Sequence, residues 1–103
     1  MDTTFTFRNI PATDGLKTHT LEKMQKIDRV VRKPLSAHVI LSVEHITHIA
    51  EITLSADGSR FVGVGKSHDM YPSIDEAIDK LLKQVKRDRD RHKHHKGESS
   101  RRV

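Results

Sequence analysis

Between positions 70 and 85 the apolar residues Met70, Ile74, Ala77, Ile78, Leu81, Leu82 and Val85 recur at helical spacing, with polar residues filling the gaps. A helix with so broad an apolar stripe must lay it on another layer, and the chain upstream supplies one. Residues Thr3 to Arg8 alternate Phe5 and Phe7 with Thr4, Thr6 and Arg8, the period of a strand with one buried face. Ala37, Val39, Leu41 and Val43 alternate with His38, Ile40 and Ser42, and a run from Thr47 to Ser55 sets Ala50, Ile52 and Leu54 on one face. A short connection around Glu44 to Ile46 joins the two. The Asp57-Gly58 pair suits a tight hairpin turn, so a fourth strand is expected from Arg60 to Lys66, antiparallel to the third. Gly63 and Gly65 weaken that strand and suit an edge or a bulge.

The first two strands are separated by a second helical pattern. Thr13 or Asp14 can cap a helix in which Leu16, Thr20, Met24, Ile27 and Val31 fall within an arc of roughly 80°. Pro34 is expected to end it, whereas Pro72 is tolerable in the longer helix because a first-turn residue has no intrahelical donor to lose. The order is βαβββα: a two-layer α+β sandwich in which two helices cover one face of a four-stranded sheet. One domain is expected over residues 1–91. Beyond Asp88 the stripe stops, and residues 92–103 read as a basic, histidine-rich tail, either a frayed helical extension or a flexible segment.

Composition bounds the function. A chain of 103 residues with 34% hydrophobic content supports one modest core. It has no apolar run near the roughly 18 residues of a membrane span, and MDTTFTFRNI lacks the basic-then-apolar order of a secretory signal. A soluble, unprocessed protein without a membrane partner is expected. The absence of cysteine excludes disulfides and thiolate metal sites and fits the cytoplasm. Residues 1–79 hold nine Lys/Arg against eleven Asp/Glu, a net of −2, while residues 80–103 hold ten against three, a net of +7. Such asymmetry is the footprint of a polyanion binder or of a solubilising tail, and composition alone leaves both open.

At 100° per residue, Lys80, Lys83, Arg87 and Arg91 occupy an arc of about 80° beside the apolar stripe. A solvated face normally mixes charges through i,i+4 pairs; here Glu76–Lys80 and Asp79–Lys83 supply such pairs, and Arg87 and Arg91 have no carboxylate four residues earlier. The first helix adds Lys23, Lys26 and Arg29, and if the helices pack side by side the two sets join into one patch. Tyr71, at the entry to the second helix, suits either stacking on a base or a packing role. Arg60 and Lys66, on the glycine-bearing strand, are expected to matter much less.

The segments LSVEHITHIAEITLSADG (41–58) and DMYPSIDEAIDKLLKQVKR (69–87) resemble the ribosome hibernation-promoting factors, a family related to the ribosome-associated inhibitor and sigma-54 modulation proteins. The resemblance continues weakly through the first helix to cover residues 3–91. It is most specific in Asp69-Met70-Tyr71 followed by Ile74-Asp75 and Ile78-Asp79-Lys80-Leu81. Pro72 departs from a usually small residue and Lys66 from a usually acidic or neutral one.

The resemblance implies a fold like that of double-stranded-RNA-binding domains. It also implies binding to the small ribosomal subunit and its 16S rRNA in the messenger and transfer RNA channel, with inhibition of translation. Lacking the C-terminal dimerisation domain of the long members, the chain is similar to the short form, which acts with a ribosome modulation factor to form inactive ribosome dimers. Lys23, Lys26, Lys80, Lys83 and Arg87 match the family's RNA-facing basic positions.

Other readings are weaker. The glycines fit neither a P-loop nor a dinucleotide pattern, no nucleophile–base set is suggested, and Asp75, Glu76 and Asp79 read as ordinary surface carboxylates. No enzyme activity, cofactor or small-molecule substrate is expected. His92, His94 and His95, with His45 and His48, invite a metal-binding regulatory reading, but they lack a rigid mixed-ligand geometry, and no metal site is expected. A generic double-stranded-RNA-binding module is the other alternative.

Overall fold

The computed structural model describes the backbone of residues 1–102 and the side chains of residues 1–33 and 36–91. Its elements are β1 (Asp2–Arg8), α1 (Asp14–Asp28), β2 (Pro34–Glu44), β3 (Thr47–Ala56), β4 (Ser59–Ser67) and α2 (Met70–Arg102). The strands lie in the order β1-β2-β3-β4. β1 is parallel to β2, which requires the crossover that α1 supplies, and the other pairs are antiparallel. This is the expected βαβββα sandwich. The helix α2 runs through the histidine-rich segment, whose side chains lie outside the described residues.

Alternation decides which face is buried. Val39 and Leu41 of β2 and Ala50, Ile52 and Leu54 of β3 are fully buried, and they meet Leu16, Met24 and Ile27 of α1 and Ile74, Ala77, Ile78 and Leu81 of α2 in one core. At roughly 1.5–3 kcal/mol for each fully buried large apolar side chain, this cluster is the main source of stability.

Thr13 caps α1, its hydroxyl accepting from the Leu16 amide at 3.2 Å. The end of α1 departs from expectation. The helix stops at Asp28, well before Pro34, which instead opens β2. The cause is Asp57, whose carboxylate accepts from the amides of Arg32 at 2.9 Å and Lys33 at 2.6 Å. Those donors turn out of the helix toward a hairpin more than twenty residues away in sequence. Val31 stays buried although it lies beyond the helix. The hairpin itself is as expected: Asp57 (φ 52) and Gly58 (φ 75) both take positive φ, as a tight β3–β4 turn demands.

β4 is a sheet edge, and its register with β3 runs unbroken from Ala56↔Ser59 to His48↔Ser67, so its glycines make no bulge. Their role is closeness. A Cβ on Gly63 would lie 2.2 Å from the Ala77 carbonyl oxygen, and one on Gly65 would lie 1.9 Å from that of Ser73. The backbone of α2 therefore rests directly on the strand. Ser73, fully buried, donates its hydroxyl to the His48 carbonyl at 2.7 Å and locks the start of α2 to β3.

Candidate nucleic-acid interface

On α2 the apolar stripe faces the core, α1 packs against one flank, and the edge of β4 runs along the other. On the α1 flank His19 Nε2 and Asp75 Oδ1 are 2.7 Å apart, and Tyr71 meets the His19 ring edge-on at 4.9 Å between centroids. Gly15 leaves room for the Tyr71 hydroxyl. Gly15 beside Tyr71 and His19 beside Asp75, four residues on in each helix, show that the two helices advance in the same direction. Tyr71 thus braces the helix pair while remaining 41% exposed. Asp75 is engaged by His19 and, among the described residues, by no lysine.

On the β4 flank, side chains one turn apart meet the outer polar groups of the strand. The Lys66 amide donates to Glu76 Oε1 at 2.7 Å, Lys80 Nζ donates to the Val64 carbonyl at 2.9 Å, and Gln84 Nε2 donates to the Val62 carbonyl at 2.7 Å. Lys80 also lies 3.9 Å from Glu76, as its spacing predicted. Its ammonium is therefore partly committed to the fold.

The ridge Lys80, Lys83, Arg87 and Arg91 is exposed, and Lys80, Arg87 and Arg91 lie toward β4. Lys23 and Lys26 stand one and two turns beyond His19 on the α1 side that faces α2, with Lys23 half-buried and Lys26 exposed. Arg29, the C-cap, is exposed. The two basic sets therefore flank α2 on opposite sides and do not meet directly. Lys83 and the exposed Lys86 lie on the solvent face between them. Sequence reasoning missed Lys86 because it falls outside the arc of the ridge. The expected Asp79–Lys83 pair does not form among the described residues, and Arg91, without a carboxylate at i−4, finds Asp88 at i−3, 2.9 Å away. Lys83, Lys86 and Arg87 make no ion pair among the described residues.

Alternation assigns Arg60 to the outer sheet face, yet at the edge of β4 it borders a cavity of about 320 Å³ shared with Ser59, Phe61, Gln84, Arg87, Asp88 and Arg91. Among the described residues no group of three His, Asp or Glu side chains comes together as metal ligands, and His92, His94 and His95 lie outside the described side chains. His38 is exposed on the outer sheet face, where its ring nitrogens pair with Thr4 at 2.6 Å and Thr6 at 3.3 Å. No helix among the described residues is long and apolar enough to cross a membrane.

A mixed four-stranded sheet with two parallel helices on one face and exposed cations along one of them defines a class of small α+β proteins with known members. The N-terminal domain of Thermus thermophilus Protein Y superposes with a TM-score of 0.78 at 30% identity, covering 84% of this chain and 98% of that one. A ribosomal subunit interface protein from Coxiella burnetii also gives a TM-score of 0.78, at 19% identity, covering 87% of this chain and 99% of that one; at that identity it speaks for the fold alone. The model of the family "Sigma 54 modulation protein / S30EA ribosomal protein" matches residues 3–93, and the chain belongs to this family. The ribosome hibernation promoting factor of Salmonella typhimurium is 33% identical over 95 residues, which span 92% of this chain and all of that protein. That of Pseudomonas putida is 30% identical over 84 residues, 82% of each chain.

Proposed function

We propose that this protein is a cytoplasmic hibernation factor that binds the small ribosomal subunit in the messenger and transfer RNA channel. It inhibits translation by occupancy, without catalysis, and promotes inactive ribosome dimers together with a modulation factor. The observation that carries this reading is the exposed cation set Lys83, Lys86 and Arg87, without an ion pair among the described residues, on a helix seated backbone-to-backbone on the sheet. Cations held on a rigid scaffold with no carboxylate partner among the described residues are suited to phosphates of a structured RNA. The names of the relatives supply the ribosome as the partner.

In this reading Lys23, Lys26 and Arg29 form a second, lateral contact, Arg91 extends the ridge, and Tyr71 positions α1 more than it stacks on a base. Lys80 contributes less than its place in the ridge suggests, because it already serves the Val64 carbonyl. The domain proper is residues 1–91, with 92–103 an accessory basic tail.

The test is co-sedimentation with purified small subunits in sucrose gradients over a series of salt concentrations. Lys83→Gln, Lys86→Gln and Arg87→Gln together remove three phosphate partners and should lower the log–log salt slope by about three, with an unchanged circular dichroism spectrum. Lys80 is kept, so that the β4 edge stays intact. Unchanged subunit binding by the triple variant would sink the proposed interface. Equal affinity for plain RNA duplex and for subunits would favour the generic double-stranded-RNA-binding module.

A further inference from the structure

We propose that the cavity between the start of β4 and the middle of α2 is a phosphate clamp built by Arg60, Arg87 and Arg91. These three arginines, contributed by two different elements, border one cavity of about 320 Å³. Its only described acid, Asp88, is largely withdrawn: its side chain is 11% exposed and holds Arg91 at 2.9 Å. The lining therefore includes three arginines and one aspartate, a formal net of +2. Guanidinium forks match the oxygens of a phosphate bidentately. Ser59 adds a hydroxyl, and the nearly buried Phe61 an apolar wall.

One carboxylate does not balance three arginines, and among the described residues the Arg60 side chain makes no hydrogen bond or ion pair that would hold it to the fold. The exposed edge of a strand would accept many polar residues there. The ligand class is a phosphate group, either a phosphodiester of RNA or the phosphates of a free nucleotide. In its RNA form the clamp rests on the proposed function and extends the interface from α2 onto β4; in its free-ligand form it stands independently.

The test uses the full chain, with the arginine Nε–H resonances followed by NMR during titration with a short RNA duplex and, separately, with inorganic pyrophosphate. Arg60, Arg87 and Arg91 should shift together. Arg60→Gln, a change at an exposed position, should lower the salt slope of duplex binding by about one. A joint shift with the duplex alone supports the RNA form, and a joint shift with pyrophosphate at equal concentration supports the free-ligand form. Response of Arg87 and Arg91 without Arg60 would overturn the clamp while leaving the helix interface standing, and so would silence of all three in a chain that still co-sediments with small subunits. A joint shift with pyrophosphate in a chain that fails to co-sediment would leave the clamp and remove the ribosome reading.

Discussion

The two flanks of α2 are attached by different physics. Toward β4 the contact is backbone on backbone, made possible by Gly63 and Gly65, and no side-chain rotation can relieve an intrusion there. Toward α1 it is carried by side chains, His19 with Asp75 and Tyr71 folded over Gly15, which can adjust at small cost. The cations divide accordingly. Arg87 and Arg91 ride on the unyielding side of the helix, Lys83 stands on the solvent face between, and Lys23 and Lys26 hang on the adjustable side. Preorganisation of charge, more than its amount, distinguishes the two basic sets.

The sharpest way to break this contrast is Gly65→Ala. Its Cβ would lie 1.9 Å from the Ser73 carbonyl oxygen and 2.9 Å from the Ala77 nitrogen, so α2 must lift from the sheet. The expected loss is about 3 kcal/mol, a fall in the melting midpoint of roughly 12–24 °C by calorimetry. Gly58→Ala is the comparison: its Cβ would meet nothing within 4 Å, and only the positive φ of 75 opposes it, at about 1 kcal/mol. Equal losses in the two variants would show that the approach of α2 adds nothing at Gly65 beyond the ordinary cost of replacing a glycine.

The α1 flank should yield less. His19→Ala removes the contacts to Asp75 and Tyr71 and should lower stability by roughly 1 kcal/mol. A double-mutant cycle in urea with Asp75→Ala should return a coupling of roughly 0.5–1 kcal/mol, and a coupling near zero would mean that packing alone holds α1. Smallest is Lys80→Met, expected to cost about 0.5 kcal/mol because the Val64 carbonyl can turn to water. It should also weaken subunit binding less than Lys83→Met does; the reverse order would return Lys80 to the centre of the interface.

Much of this fold is legible in the sequence because its determinants are local. Phe5 to Phe7, Ala37 to Leu41 and Ala50 to Leu54 alternate as half-buried strands must, the α2 stripe repeats at helical spacing, and Asp57-Gly58 announces its turn. What stays hidden depends on residues distant in sequence. Asp57 ends α1 from another hairpin, so no reading of residues 28–34 alone finds that boundary. The glycines look like weak strand formers until the helix above them is known. The ridge is correctly placed on one arc of α2, but which neighbour each arc faces is a tertiary fact. That fact separates Lys80 from Lys83 and puts Arg60 on the cavity that Arg87 also lines.

The row formed by Glu76, Lys80 and Gln84 also bears on how the protein behaves when crowded. An open sheet ordinarily offers two edges to other chains, and edge-to-edge growth needs both to continue. Here the Val62 and Val64 carbonyls and the Lys66 amide are already bonded to side chains of α2, so an incoming strand on β4 would have to displace them. β1 is the remaining edge. Strand exchange between copies should therefore favour that side, and a pairing of β1 with β1 closes on two molecules and does not propagate.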